Sequence, residues 1–349
     1  MPKVALITGV NGQDGSYLVE LLLEKGYDVH GMVRRTSQFS RGRIEETRQR
    51  AQDQGRVFEL HYGNLGDSSS LHRVLAACRP DEIYNLASQS HVGASFEEPE
   101  YATEVNGTAV LRLLECIRHI GLKTRFYQAS SSELYGNVAE EPQTENTPFH
   151  PLSPYAVSKL YAYWIVRSYR ETYGMHASNG ILYNHESPRR GESFVTRKIT
   201  YSLARIKAGH QRVLRLGNLG ARRDWGYAKD FVQAMWLMLQ QEKADDYVVA
   251  TGELHSVREF IEHAAAIAGF SIAWEGAGVN ERGLDRHTGQ ILIEVDPKFY
   301  RPADLDRVRG DATKARTQLG WRPTVTFDQL VALMMESDID LARHEHHSR

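Results

Sequence analysis

The chain has 349 residues, and its 42 lysine and arginine residues against 44 aspartate and glutamate residues give a formal net charge of −2. This balance argues against general binding to nucleic acids or anionic membranes, whose affinity depends on an excess of Lys and Arg. No run of about 18 apolar residues occurs, so no membrane span is expected. The two cysteines, Cys78 and Cys116, are too few for a disulfide framework. We therefore predict buried free thiols, no metal site and a cytoplasmic location.

Strands and amphipathic helices alternate along the chain. The patterns predict strands at 3–8, 28–33, 57–61, 82–85 and 126–130, and helices at 17–25, 68–78, 105–120, 155–173, 196–208 and 229–240. Residues 276–300 show no clear periodicity. This alternation is typical of βαβ units, whose right-handed crossovers place helices on both faces of a parallel sheet. The predicted fold class is α/β, with a Rossmann-type doubly wound parallel sheet and a smaller, mostly C-terminal α/β substrate-binding lobe.

A glycine-rich turn follows the first predicted strand and precedes the first helix. Its three glycines have GxxGxxG spacing, which differs from the commonest dinucleotide fingerprint but provides the same close backbone approach to a pyrophosphate at a helix N-terminus. A glycine triple alone can be an incidental turn, but its position here favours a dinucleotide site. The predicted cofactor residues of this turn are Gly9, Asn11, Gly12, Gln13, Asp14 and Gly15.

Arg34 and Arg35 stand at the end of the second predicted strand. Proteins that bind NAD place an acidic residue there to bond the ribose 2′-hydroxyl. Adjacent guanidinium groups instead suit a 2′-phosphate, although an arginine pair can also be a solvated surface feature. The position at the strand end favours NADP as the cofactor.

Residues 1–183 are expected to form mainly the NADP-binding domain, with residues 217–255 returning to it. Residues 184–216 and 256–340 are expected to form mainly the substrate-binding lobe. We expect residues 341–349 to form a disordered tail, whose histidines are a solvated chain end rather than a metal site.

Tyr155 and Lys159 form a Tyr-x-x-x-Lys pattern at the start of a predicted helix. Because they are four residues apart, both side chains lie on one face of that helix. A tyrosine hydroxyl has a reference pKa near 10 and is a poor base at neutral pH, so the lysine ammonium would stabilise its phenolate. Most patterns of this kind lie on helix surfaces, but the preceding cofactor turn favours a catalytic role in taking a hydroxyl proton.

Ser131 and Glu133 lie at the carboxyl end of the fifth predicted strand, where open α/β sheets bind ligands. Ser131 is expected to bond the reacting oxygen, whereas its neighbours Ser130 and Ser132 could equally cap the next turn. Simple alcohol oxidation needs no second base. Glu133 therefore indicates additional proton transfer, the alternative being a surface carboxylate.

Together these residues resemble the GDP-mannose 4,6-dehydratase family of the extended short-chain dehydrogenase/reductase superfamily. The similar stretches are 8–18, 85–92, 161–166, 184–191, 194–198, 223–226, 250–253 and 300–302. The resemblance implies that Tyr155 takes the C4 hydroxyl proton of GDP-mannose while hydride passes from C4 to NADP. It further implies that Glu133 takes the C5 proton and helps expel water, and that hydride returns to C6. The product would be GDP-4-keto-6-deoxy-mannose.

The resemblance also implies roles for further residues. The implied cofactor contacts are Asn64, Leu65, Leu86, Ala87, Ser88, Gln89, Ser90, Tyr101, Lys159, His185 and Arg190. The implied substrate contacts are Ser90, Glu133, Tyr155, Asn184, Arg190, Val195, Lys198, Arg223 and Arg301. Ser131 replaces a more usual threonine and Asn64 a more usual aspartate. The basic segment Arg34–Arg43 is similar to one that reaches a neighbouring subunit, which implies a homo-oligomer, in particular a tetramer.

Two other functions are compatible with parts of this pattern. A nucleotide-sugar epimerase or reductase would have the same fold but needs no elimination base, so Glu133 argues against it. A non-catalytic regulator that binds NADP would be expected to have lost the tyrosine or the lysine, and both are present.

Overall fold

The computed structural model describes residues 1–37, 40–138, 140–299 and 308–345. The chain divides into two compact units. The first unit comprises Met1–Tyr183, Ala228–Ala250 and Gly310–Arg322. The second comprises Asn184–Tyr227, Thr251–Arg309 and Pro323–Arg349.

The strands of the described residues are, in chain order, β1 (Val4–Thr8), β2 (Asp28–Val33), β3 (Phe58–Tyr62), β4 (Glu82–Asn85), β5 (Arg125–Ser131), β6 (Ala177–Leu182), β7 (Asn184–Glu186), β8 (Leu214–Leu216), β9 (Arg222–Arg223), β10 (Trp225–Tyr227), β11 (Asp246–Val249), β12 (His255–Ser256), β13 (Ile272–Glu275), β14 (Arg282–Asp285) and β15 (Ile291–Val295).

The α-helices of these residues are, in chain order, α1 (Gln13–Glu24), α2 (Gly42–Asp53), α3 (Ser68–Cys78), α4 (Ala94–Glu97), α5 (Pro99–Thr103), α6 (Ala109–Ile120), α7 (Pro154–Tyr173), α8 (Val195–Lys207), α9 (Ala228–Gln240), α10 (Val257–Ala268), α11 (Thr313–Gln318) and α12 (Phe327–His344). A π-helical turn, Glu104–Thr108, precedes α6, and 3₁₀ turns occupy Ser132–Leu134, Gly278–Asn280 and Pro297–Phe299.

The first unit is built on a parallel sheet with the strand order β11-β6-β5-β4-β1-β2-β3. The strand order reverses between β1 and β4, which is the point where doubly wound sheets bind ligands beyond the strand ends. The doubly wound fold predicted from the sequence is therefore confirmed.

Alternate residues along the strands of this sheet serve two hydrophobic cores. Ala5 and Ile7 of β1 belong to the core that also contains Trp321, whereas Leu6 belongs to the core beside α3 and α6. Because successive strand side chains point to opposite faces, the two cores cover the two faces of the sheet. Both faces are thus buried, as a parallel sheet requires.

The second unit has a separate core and a smaller sheet. The sheet has the order β13-β14-β15-β8, with an antiparallel β14–β15 pair and β15 parallel to β8. Helices α8, α10 and α12 supply most of the buried side chains of this unit. The two strands β14 and β15 lie in the stretch 276–300, where the sequence showed no clear periodicity.

Some boundaries differ from those expected from the sequence. The segment that returns to the first unit is Ala228–Ala250 rather than 217–255, because β9 and β10 pair with strands of the second unit. A second return, Gly310–Arg322, has no counterpart in the sequence-based expectation.

The disordered tail expected at 341–349 is wrong for its first residues, because α12 continues to His344. Ala342 is buried there, and Glu345 pairs with Arg205 at 2.5 Å. Residues 346–349 lie outside the described residues.

The cysteines of the described chain form no disulfide: Cys78 is buried, whereas Cys116 is only half-buried. Among the described helices, none combines the length and the apolar character that a membrane crossing requires.

Candidate active site

The glycine-rich turn packs so closely against neighbouring backbone that side chains would not fit at two of its glycines. Gly9 has φ +68°, and a Cβ there would lie 2.8 Å from the backbone of Ala87. A Cβ on Gly15 would lie 2.4 Å from the carbonyl oxygen of Gly9. Gly12 caps α1 without a side-chain hydrogen bond to the helix N-terminus. The turn is thus closely packed and leads into a half-buried helix N-terminus, the kind of end that binds a pyrophosphate.

Hydrogen bonds hold the segment that follows β4 beside this turn. Thr8 Oγ1 accepts from the backbone N–H groups of Leu86 and Ala87, each at 3.1 Å. Asn106 Oδ1 accepts from the Gln89 N–H at 2.8 Å, and Asn106 Nδ2 donates to the Gln89 carbonyl at 3.0 Å. Asn106 was not singled out from the sequence, because only the fold brings the π-helical turn to this segment.

Arg34 and Arg35 extend from the carboxyl end of β2 and are both exposed. Arg34 Nη1 donates to the Tyr101 hydroxyl at 2.7 Å, and the Arg35 guanidinium lies 4.6 Å from the centre of the Tyr62 ring. The two guanidinium groups thus have different aromatic partners while both remain accessible to an anion.

Asn64 and Leu65 follow β3 but differ in environment. Asn64 is exposed, and its Oδ1 accepts from the Gly66 N–H at 3.0 Å. Leu65 is buried in the core beside α3. Its side chain is therefore part of the fold, so a cofactor contact from this residue would come from its backbone.

The first turns of α7 hold Tyr155 and Lys159. Ser153 caps this helix by accepting from the Ala156 N–H at 3.1 Å. Tyr155 and Lys159 are both buried, and Lys159 Nζ lies 5.9 Å from the centre of the Tyr155 ring. Lys159 Nζ also donates to the Ala129 carbonyl at 2.8 Å, which ties the ammonium to β5. The pair therefore has a fixed geometry beside the strand that ends in Ser131.

Burial lowers the pKa of Lys159 to about 8, and the negative charge of Asp14 acts in the opposite direction. An ammonium needs hydration, so removing it from water favours the neutral amine. Lys159 consequently remains mostly protonated at neutral pH and loses its charge only above about pH 8.

Ser131 and Glu133 occupy the end of β5 and the 3₁₀ turn that follows. Ser131 Oγ accepts from the Glu133 N–H at 3.3 Å, so Ser131 itself caps this turn. Both residues are half-buried, and the turn packs against α7. Ser130 has another partner, Asn179 Oδ1 at 3.3 Å. The capping role that the sequence left open for the neighbouring serines thus belongs to Ser131.

In the second unit, β7 begins with Asn184 and His185 and pairs in parallel with β10. Arg190 Nε lies 3.0 Å from Glu186 Oε2, and the Arg190 guanidinium lies 3.8 Å from the centre of the Phe194 ring. Glu186 is buried. Sequence reasoning did not single out Glu186, because Glu186 ends a strand and Arg190 lies in the turn that follows, so no helical spacing links them.

The remaining predicted substrate residues lie on other elements of the second unit. Val195 begins α8, and Lys198 Nζ lies 3.3 Å from the centre of the Phe299 ring. Burial lowers the pKa of Lys198, with Asp296 acting in the opposite direction. Arg223 lies on β9 and is buried. Arg301 lies outside the described residues.

A doubly wound sheet with a glycine turn after β1 and a buried tyrosine–lysine pair on one helix defines the class of short-chain dehydrogenases/reductases. Solved structures of this class are similar to the chain. The UDP-glucose 4-epimerase of Thermus thermophilus, in complex with NAD, is 28% identical, with a TM-score of 0.78 and coverage of 96% of this chain and 98% of that one. RMD from Pseudomonas aeruginosa, complexed with NADPH, is 25% identical, with a TM-score of 0.75 and coverage of 97% and 99%.

Sequence comparison narrows the class further. The family model described as GDP-mannose 4,6 dehydratase matches residues 6–334. The GDP-mannose 4,6-dehydratase of Sinorhizobium fredii is 56% identical over 343 residues, which cover 98% of each chain. The chain belongs to the GDP-mannose 4,6-dehydratase family.

Proposed function

We propose that the chain converts GDP-α-D-mannose to GDP-4-keto-6-deoxy-α-D-mannose and water, using NADP. The observation that carries this proposal is the position of Glu133. Its 3₁₀ turn packs against α7, which holds the buried Tyr155 and Lys159. An enzyme that only oxidises an alcohol has no need for a carboxylate there, whereas removal of water requires a second proton transfer.

The glycine turn and the arginine pair support NADP as the cofactor. A Cβ on Gly9 or Gly15 would meet backbone atoms of the chain itself, so these two positions of the turn that leads into α1 are restricted to glycine. Arg34 and Arg35 place two guanidinium groups at the end of β2, where a 2′-phosphate would lie. When bound, NADP accepts a hydride from C4 of the sugar and later returns it to C6.

In the first step, Tyr155 takes the proton of the C4 hydroxyl as the C–H bond at C4 breaks. The positive charge of Lys159 stabilises the tyrosine phenolate that this requires. Ser131 donates to the oxygen that becomes the C4 ketone. This assignment agrees with the position of Ser131 at the carboxyl end of β5 and with the packing of the following turn against α7.

In the second step, Glu133 takes the proton at C5, which the neighbouring C4 ketone has made acidic. The electron pair of the C5–H bond forms a C5–C6 double bond as the C6 hydroxyl leaves. Glu133 then supplies its proton to that hydroxyl, so water departs and the carboxylate is regenerated. As hydride returns to C6, C5 accepts a proton that balances the one Tyr155 took from the C4 hydroxyl, so Tyr155 returns to the phenolate.

Three basic residues of the second unit are assigned to binding the diphosphate of the sugar nucleotide. Arg190, Lys198 and Arg223 provide cationic groups, and Asn184 provides an amide for the sugar. Glu186 fixes the Arg190 guanidinium through their 3.0 Å ion pair. The resemblance to this family implies that Arg301 contacts the diphosphate as well.

Mass spectrometry of GDP-mannose incubated with the protein and NADP tests the proposal directly. We expect a product lighter than the substrate by one water, without net consumption of NADP. An unchanged substrate mass with an altered sugar configuration would instead indicate an epimerase. Recovery of unaltered GDP-mannose from protein that binds NADP would indicate a regulator without catalytic activity.

Glu133→Gln separates the oxidation step from the elimination step. We expect this variant to bind NADP and to form reduced cofactor, detected by fluorescence, because Tyr155 and Lys159 are intact. Water loss should fall by about 100-fold or more, since the amide is not a base. Tyr155→Phe is the matched control variant, and it should neither form reduced cofactor nor release water from the substrate. Full water loss by Glu133→Gln would contradict the role of Glu133.

We also propose that the protein acts as a homo-oligomer in the cytoplasm. Val157, Tyr161 and Trp164 form an exposed apolar stripe on α7, with exposures of 54%, 44% and 51%. Their i, i+4, i+7 spacing places them on one helix face, as expected for a face that pairs with a second copy. Light scattering should give a molecular mass above that of one chain, and Trp164→Arg should lower it.

The proposed location in the cytoplasm rests on the free cysteines, which agree with a reducing compartment.

A further inference from the structure

Three side chains that can bind a metal converge at one edge of the parallel sheet. β3 is the last strand in the sheet order, and it pairs with β2 so that Glu59 lies opposite His30. His61 is two residues beyond Glu59 and therefore points to the same face of the sheet. The strand register thus brings His30, Glu59 and His61 together, although 31 positions separate the two histidines.

The distances among these groups suit a shared ion. His30 Nδ1 lies 2.8 Å from His61 Nε2 and 3.8 Å from Glu59 Oε2. One ligand atom from each of the three residues lies within 4.8 Å of the other two. Two nitrogen ligands of a tetrahedral Zn²⁺ ion, each about 2.0–2.1 Å from it, are about 3.3 Å apart. The two histidine nitrogens, 2.8 Å apart, therefore need to separate by only about 0.5 Å to bind one ion.

Metal binding requires both facing imidazole nitrogens to act as acceptors, whereas their 2.8 Å separation is that of a hydrogen bond. A ligating imidazole must be neutral at the nitrogen that binds. Each neutral ring can move its proton to its outer nitrogen, so that both facing nitrogens become acceptors.

We propose that His30, Glu59 and His61 form a binding site for a divalent transition-metal ion such as Zn²⁺. The ligands are two imidazole nitrogens and one carboxylate oxygen, with water completing the coordination. Imidazole suits Zn²⁺, Ni²⁺ and Cu²⁺, whereas Mg²⁺ and Ca²⁺ prefer sites made of oxygen atoms. The ion joins β2 to β3 just before the segments that carry Arg34 and Asn64. It stabilises the edge of the sheet and takes no part in the proposed reaction.

The test must first remove the histidines at the chain end, which can also bind Zn²⁺. In the full-length parent variant His344→Gln/His346→Gln/His347→Gln, we expect calorimetry to detect Zn²⁺ at one ion per chain. Zn²⁺ should raise the melting temperature of this parent variant, because a ligand that binds only the folded state stabilises it. Mg²⁺ at the same concentration should neither bind in calorimetry nor raise the melting temperature. Absence of Zn²⁺ binding in the parent variant would overturn the proposal.

His61→Gln in the same background should weaken Zn²⁺ binding by about tenfold or more and remove the rise in melting temperature. His72→Gln is the matched control, because His72 is an exposed histidine on α3, outside the cluster. Equal Zn²⁺ affinity in His61→Gln and the parent would contradict the assignment.

Glu59→Gln keeps the test decisive if His61→Gln does not fold. The Glu59 side chain is 64% exposed, so this substitution should leave the fold and NADP binding intact. It should still weaken Zn²⁺ binding, because the carboxylate charge is lost. Unchanged Zn²⁺ affinity in folded Glu59→Gln would exclude Glu59 as a ligand and refute the site as proposed.

Discussion

Lys159 shows how a single residue can oppose the stability of the fold that positions it. Its side chain is only 4% exposed, and its ammonium donates to the Ala129 carbonyl. The hydrogen bond does not restore the hydration that burial removes, so the pKa falls to about 8. The proposed reaction requires this positive charge beside Tyr155, so the protein keeps a buried ammonium that lowers its stability.

Lys159→Met should therefore stabilise the protein while removing its activity. The buried ammonium costs up to about 3 kcal/mol below pH 8, since each pKa unit corresponds to about 1.4 kcal/mol. Gln128 Nε2 also donates to the Ala129 carbonyl, so that oxygen keeps a partner. Denaturant unfolding at neutral pH should show a higher free energy of unfolding for the variant, together with a loss of activity of about 100-fold or more.

The sign of the pH dependence provides a control on this interpretation. Between pH 8 and about 10.5, the unfolded state binds a proton at Lys159 that the folded state has already released. The free energy of unfolding of the wild type should therefore rise with pH in this range relative to that of Lys159→Met. A difference between the two proteins that stays constant from pH 7 to pH 10 would disprove the burial cost.

At the scale of elements, the turn between β1 and α1 depends on contacts with a segment distant in the chain. Gly9 has a positive φ, a feature it shares with other turn glycines such as Gly121. The two differ in surroundings, because a Cβ on Gly9 would meet Ala87, whereas a Cβ on Gly121 would have nothing within 4 Å. The position after β1 thus carries both a conformational and a steric requirement.

Gly9→Ala and Gly121→Ala separate these two requirements. Gly121→Ala should cost about 1–2 kcal/mol, the penalty of a left-handed conformation alone. Gly9→Ala should cost clearly more and should weaken NADP binding, because the backbone at Ala87 must move. The free energy of unfolding and the dissociation constant of NADP provide the two readouts. Equal destabilisation, with NADP affinity retained, would show that the contact with Ala87 is unimportant.

At the scale of the whole molecule, the first unit is completed by segments from late in the chain. Trp321 is 2% exposed, donates to the Asp230 carbonyl at 2.7 Å and packs edge-on against Phe231. All three residues belong to returning segments, and Trp321 shares a core with β1 and α1. A fragment ending at residue 183 would leave this core incomplete.

Trp321→Ala should destabilise the protein by about 3–5 kcal/mol, because it opens a large cavity in this core. The hydrogen bond from the Trp321 indole to the Asp230 carbonyl would also be lost. Val279→Ala provides a comparison in which the truncated side chain is 54% exposed, and it should change the free energy of unfolding by less than about 0.5 kcal/mol. A small effect of Trp321→Ala would show that the late segment contributes little to the unit.

The sequence by itself determined the features that depend on local pattern. The helix Ser68–Cys78 and the strand Glu82–Asn85 have the predicted bounds, because periodicity and flanking turns mark them clearly. The glycine spacing, the strand-end arginines and the Tyr155–Lys159 spacing indicated the cofactor class and the proposed chemistry. These signals are short in sequence and directly linked to a chemical requirement.

Only the tertiary structure decided which distant groups meet. It showed the return of Gly310–Arg322 to the first unit, the capping role of Ser131 and the proximity of His30 to His61. The two histidines are on different strands, so their 2.8 Å contact depends on the β2–β3 register, which no local ligand spacing encodes. Local patterns specify elements because neighbouring residues interact within them, whereas the register and packing of those elements depend on the whole chain.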